Sequence, residues 1–156
     1  MARIEHYHDP NAPKANSIVV AVSVFVRDDR GRVLLILRTD NGLWSLPSGG
    51  QEIGETVAQT AVRETREETG VDVEVTGIVG VYSDPGHVIE YSNGEVRQQF
   101  SLCFRAKPRG GTLTTSDESS DVRWLSPDEL PALSIHPSTQ LRIQHGYEDR
   151  REPYIG

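Results

Sequence analysis

Cysteine is nearly absent: one residue, Cys103, in a chain of 156. A lone thiol excludes an internal disulfide framework and suits a reducing cytoplasm. Its place in a strand-like apolar run makes it a small buried hydrophobe rather than a nucleophile. No stretch is long or apolar enough to span a bilayer, and the opening MARIEHYHDPNAPKANS lacks the apolar centre of a signal peptide. Basic tracts are missing as well. The formal charge of -7 disfavours polymeric nucleic acid as a partner. It leaves open a small anionic ligand brought in with a divalent metal. The expectation is a cytoplasmic globular domain with no membrane and no nucleic-acid contacts.

What is present reads as alternating strands and helices. Residues 1–17 form a polar arm without periodicity, and residues 18–156 a single domain. SIVVAVSVFV and RVLLILR are β-branched or aliphatic strand runs parted by the turn DDRG, and LWSLP leads into a glycine-rich loop. VDVEVTGIVGVYS, HVIEY, EVRQQFSLCFRA and DVRWL are further strands, with Asn93-Gly94 marking a hairpin. Ser126-Pro127-Asp128-Glu129 starts a short helix, and another begins near Pro137 or Ser138. This order predicts an α+β fold, a mixed β-sheet sandwiched between α-helices.

One helix carries the chemistry. Thr56 to Gln59 fits a capping box and Gly70 the residue after a helix end, which predicts a helix over 57–69. Val57, Ala58, Ala61, Val62 and Thr65 fall within an arc of roughly 140° and are the expected buried face. Glu64, Glu67 and Glu68 crowd an adjoining arc of roughly 100°. The segment holds no lysine to disperse that charge, and the last turns of a helix disfavour anions. Clustered carboxylate oxygens suit a hard divalent cation, magnesium or manganese. The preceding loop, with Gly42, Gly49, Gly50, Gly54 and Pro47, lets backbone approach a ligand, which a merely solvated acidic helix does not need.

These residues reach a known pattern. GGQEIGETVAQTAVRETREETGV resembles the Nudix box of Nudix (MutT-like) hydrolases. The box reads Gly, five residues, Glu, seven residues, Arg-Glu, an aliphatic residue, any residue, Glu-Glu, any residue, Gly and an aliphatic residue. Gly49, Glu55, Arg63, Glu64, Glu67, Glu68, Gly70 and Val71 match, and the departure is Thr65 at the first aliphatic position. Upstream, LWSLPSGG resembles the family's lead-in, with Ser48 in place of the commoner Gly.

The resemblance implies a Nudix fold and metal-dependent hydrolysis of a nucleoside diphosphate linked to a moiety X. It implies Glu64 and Glu68 as metal ligands, Glu67 as a ligand or an orienter of water, and the Ser48 carbonyl as a further ligand. Arg63 is expected to hold Glu67 by an ion pair, while Glu52 and Glu55 match acidic positions of the box, Glu55 serving the helix start. A general base from outside the box is expected at Glu118, with Asp117 and Asp121 behind it; His87 and Glu67 stay open as alternatives. His136 is expected to be structural. Arg38 and Arg97 are candidates to meet phosphates, and Gly49 and Gly50 to admit the substrate. Trp44 is expected in the core, and Tyr82 is a candidate to stack a base. Pro85 lies 14 residues beyond Val71. That is near the spacing of the family's ADP-ribose group, so the substrate leans to ADP-ribose or a nucleotide sugar. The alternatives are an (oxidised) nucleoside triphosphate and, in other classes, a non-catalytic nucleotide sensor or an RNA decapping enzyme. The complete Arg63, Glu64, Glu67, Glu68 set argues against the sensor, and the acidic charge against RNA. Many Nudix hydrolases are homodimers, and IEHYH in the arm offers apolar and aromatic contacts to a second copy.

Overall fold

The computed structural model describes residues 3–156. Its strands are β1 (Arg3–Tyr7), β2 (Ser17–Val26), β3 (Val33–Arg38), β4 (Trp44–Ser45), β5 (Ser48–Gly50), β6 (Val71–Tyr82), β7 (His87–Tyr91), β8 (Val96–Gly111), β9 (Ser119–Leu125) and β10 (Tyr154–Ile155). Two α-helices, α1 (Val57–Thr69) and α2 (Pro137–Tyr147), and a 3-10 helix (Pro127–Ala132) complete it. A mixed sheet runs β1-β7-β8-β2-β5, with β6 beside the second half of β8 and β10 beside β6; β4-β3-β9 form a smaller sheet. The β2–β8 and β6–β10 pairs are parallel and the rest antiparallel.

The period-2 alternation of the strands builds two cores. Val22, Val24 and Val26 of β2 join Leu34, Ile36, Val71, Val73 and Phe104 beneath α1 through Ala61. Phe25, Val33, Leu35 and Cys103 face the other way, toward Ile143 of α2. The sheet thus lies between the helices, as expected. Cys103 is fully buried there.

Helix α1 has its predicted limits. Thr56 Oγ1 accepts the Gln59 N–H at 3.1 Å, Gln59 Oε1 accepts the Thr56 N–H at 2.9 Å, and Gly70 closes the helix at φ 78. The buried face differs from expectation: Thr60, Ala61, Thr65, Glu68 and Thr69 are buried, while Val62 is exposed. Relative to the apolar arc, burial is rotated by roughly 40° toward the carboxylates. Buried threonines can tolerate this because each hydroxyl has an acceptor inside the helix: Thr65 donates to the Ala61 carbonyl at 2.7 Å and Thr69 to that of Thr65 at 2.5 Å.

The arm also departs from its reading. Arg3–Tyr7 is a strand, paired antiparallel along β7 from Arg3↔Tyr91 to Tyr7↔His87. RIEHY alternates on the pleat, so Arg3, Glu5 and Tyr7 share one face. The arm is therefore folded onto its own subunit, where cross-strand hydrogen bonds outweigh its polarity.

Candidate active site

The rotation of α1 carries Glu68 inside. Only 2% of it is exposed. Its Oε2 accepts the backbone N–H of Ser48 at 2.9 Å, while Oε1 is buried without a partner. Burial, reinforced by the charges of Glu64 and Glu118, pushes its carboxyl up to about 9. Burial also raises Glu64, against the hydrogen bond it accepts from Arg63.

Three carboxylates converge here. Ligand oxygens of Glu64, Glu68 and Glu118 lie within 4.8 Å of one another. Glu118 reaches them from the loop before β9. A bulge between Leu37 and Arg38 shifts the β3–β9 register, and Thr39 ties the loop down: its N–H donates to the Glu118 carbonyl at 3.1 Å and its hydroxyl to that of Asp117 at 3.0 Å. Gly49 sits against the cluster, and a Cβ there would overlap the Glu64 carboxylate.

Arg63 is the hub beneath. Its Nε and Nη2 grip Glu55 at 2.6 and 2.9 Å, Nη1 donates to Glu64 at 2.8 Å and to Glu67 at 3.2 Å, and Nη2 reaches the Gly50 carbonyl at 3.1 Å. The expected Glu67 pair exists, but the bidentate partner is Glu55, which the Arg63 hydrogen bonds hold down at about 2. Glu67 stands at the rim with its side chain 59% exposed, outside the group of three.

A cavity of about 230 Å³ opens over Ser48, Gly49, Gly50, Glu68 and Glu118. Arg38 and Arg97 line it, each forked to a neighbour: Arg38 to Asp40 at 2.9 and 2.6 Å, Arg97 to Glu95 at 2.9 and 3.0 Å. His87 and His136 line the far wall with Glu5, whose Oε1 accepts from His87 Nε2 at 2.6 Å. Burial pushes the Glu5 carboxyl up, but the His87 hydrogen bond and the charges of His136, His87 and Arg3 outweigh it and bring it down to about 2. His136 caps α2 and faces this cavity at the same time.

Asp121, Pro85 and Tyr82 stay away, whereas Trp44 borders the cavity. Asp121 bonds Arg123 at 2.9 Å, Pro85 is not among the cavity-lining residues, and Trp44 is buried as expected. Tyr82 does not stack a base: it is 7% exposed, and its hydroxyl meets His145 Nδ1 at 2.8 Å. Sequence reasoning missed Arg3, Glu5 and Arg142. The alternation in RIEHY was the available signal for the first two; nothing local marked the third.

A carboxylate cluster with an orphaned buried oxygen, a glycine pressed against it and an arginine hub match one family's box. The model of the NUDIX domain matches residues 18–144. The chain belongs to the Nudix family. Among the relatives of this Nudix hydrolase is a MutT-like protein of Streptomyces ambofaciens, 43% identical over 122 residues, spanning 78% of this chain and 71% of the relative. An ADP-ribose pyrophosphatase of Methanocaldococcus jannaschii is 36% identical, over 74% of this chain and 66% of that protein. The crystal structure of a NUDIX hydrolase from Nitrosomonas europaea superposes with a TM-score of 0.71 at 28% identity, covering 88% of this chain and 78% of that one.

Proposed function

We propose that this Nudix hydrolase cleaves the pyrophosphate of a nucleoside diphosphate linked to X, with ADP-ribose or a nucleotide sugar as substrate, using magnesium or manganese. The observation that carries the reading is the unpartnered Oε1 of Glu68, buried beside Glu64 and Glu118. A buried carboxylate raised to about 9 is a poor structural element alone and a good cation ligand. All-oxygen donors fit a hard divalent ion, which when bound neutralises pyrophosphate charge and lowers the pKa of water.

Glu64 and Glu68 would hold the ion, with the Ser48 carbonyl as a further donor. Glu118, on its tethered loop, accepts the proton of the attacking water. Glu67, at the rim, orients that water. Arg63 positions Glu64 and Glu67 while Glu55 fixes Arg63 in place. Gly49 and Gly50 leave room for the diphosphate, and Arg38 and Arg97 meet its oxygens with donors left free by their carboxylate forks. The name of the Methanocaldococcus relative supports ADP-ribose.

The deciding assay is a substrate panel with magnesium. ADP-ribose should give AMP and ribose 5-phosphate, water adding across the P–O–P bridge. Faster release of pyrophosphate from normal or oxidised nucleoside triphosphates would overturn the ADP-ribose reading.

A further inference from the structure

Four arginines line the cavity: Arg3, Arg38, Arg97 and Arg142. Three have carboxylate partners: Arg3 lies 3.4 Å from Asp40, Arg38 2.6 Å from Asp40 and Arg97 2.9 Å from Glu95. Arg142 is the exception. It is 7% exposed, and among the described residues no carboxylate approaches it within 4.0 Å. Its Nε has no hydrogen-bond partner. Nη1 makes only a 3.5 Å contact with the Ser138 hydroxyl, and one face of the guanidinium covers the Tyr82 ring at 4.8 Å.

Such a group is costly to fold. A guanidinium stays protonated at any ordinary pH, and a buried charge without a counter-ion loses its hydration with nothing in return. Stacking on Tyr82 recovers part of that and leaves the Nε–H unanswered. The nearest acid across the cavity, Glu5, already accepts from His87 at 2.6 Å and has His136 Nε2 at 3.7 Å.

Glu5, His87 and His136 also sit close enough to suggest a metal. The hydrogen bonding excludes His136 as its ligand. The Ser138 backbone N–H donates to His136 Nδ1 at 3.1 Å, so in the neutral ring the proton is on Nε2, the atom facing Glu5. The Glu5 carboxylate is thereby answered by two imidazoles, while the Arg142 Nε–H stays unanswered.

We propose that Arg142 is the anchor for a second anionic group, a phosphate or a carboxylate, carried by the X moiety of the substrate. The inference rests on the cavity being the substrate site. It makes Arg142 a specificity-determining residue within the nucleotide-sugar branch of the proposed function: a sugar bearing a phosphate or carboxylate is preferred to a neutral one, the ribose of ADP-ribose included.

The test uses the full chain in EDTA with inorganic phosphate or acetate as probes. Removing metal makes the readout independent of hydrolysis, and the comparison with Arg142→Gln separates this anchor from Arg38 and Arg97 in the same lining. Wild-type protein should melt higher in millimolar phosphate or acetate, whichever chemistry the anchor takes, and Arg142→Gln should lose that rise. No rise in wild type with either probe, or an equal rise in both proteins, overturns the proposal. Should Arg142→Gln fail to fold, a crystal structure of wild type grown with phosphate and acetate decides. An anion bonded to Arg142 upholds it; a water there alone overturns it.

Discussion

The Ser48 backbone N–H and the Glu68 carboxylate meet at 2.9 Å, joining the glycine-rich strand to the last turn of α1. One Glu68 oxygen is thereby fixed, and the other is left buried and unpartnered. The bond holds the carboxylate in place without satisfying it, the state in which a ligand site is preorganised for a cation.

Stability should therefore depend on pH when metal is absent. The Glu68 carboxyl is raised to about 9 in the fold from 4.5 in the unfolded chain, so the native state holds the extra proton. Its contribution is fully present below 4.5 and is lost as pH rises toward 9, with a slope of at most about 1.4 kcal/mol per pH unit. Glu68→Gln should abolish that slope in EDTA. Urea midpoints from pH 5 to 9 check it, and parallel curves for the two proteins would refute it.

Glu5 should act in the opposite direction and window. Lowered to about 2 from 4.5, it stabilises the fold above 4.5, and that stability is lost as pH falls toward 2. Glu5→Gln should flatten acid denaturation over this range, measured by circular dichroism. An unchanged acid limb would mean that the His87 contact does not hold in solution.

Removing one charge from the ligand set should separate activity from folding. Glu64→Gln or Glu68→Gln is expected to lower magnesium-dependent turnover by at least about a hundredfold with far-UV dichroism intact. Millimolar magnesium should raise the melting temperature of wild type, and much less that of Glu68→Gln. Near wild-type turnover in either variant would remove it from the ligand set.

Gly49→Ala forces a methyl into the Glu64 carboxylate. The expected result is a destabilisation of about 1–3 kcal/mol and a loss of roughly a hundredfold in kcat, since the acid must swing from its place. A variant with wild-type kinetics would show that Glu64 need not hold its position.

The arm supplies β1, at one edge of the sheet, with Ile4 58% exposed. We propose that a second copy packs on this edge in a homodimer. Light scattering of the full chain at micromolar concentration should give twice the monomer mass, and a chain starting at Ser17 should give the monomer. A monomeric full chain sinks the idea; a dimer in both keeps the dimer and removes the arm from its cause.

Local signals settled much of this molecule before any contact was known. Thr56, Gln59 and Gly70 delimit α1 because a cap is a matter of a few neighbouring backbone groups. The alternation in β2 and β3 foretells two apolar faces, and the spacing of Glu64, Glu67 and Glu68 places their carboxylates together on any helix. What required the fold is the rank among them. Which arc of α1 turned inward depended on the sheet and on Ser48, twenty residues away, so Glu68 became buried and Val62 exposed. Glu118, Glu5 and Arg142 entered the same cavity from a bulged loop, the first strand and the last helix. Glu118 was legible as a loop acid and Glu5 through the alternation in RIEHY, but that they share one cavity with Arg142, which nothing local marked, is set by chain topology and not by local preference.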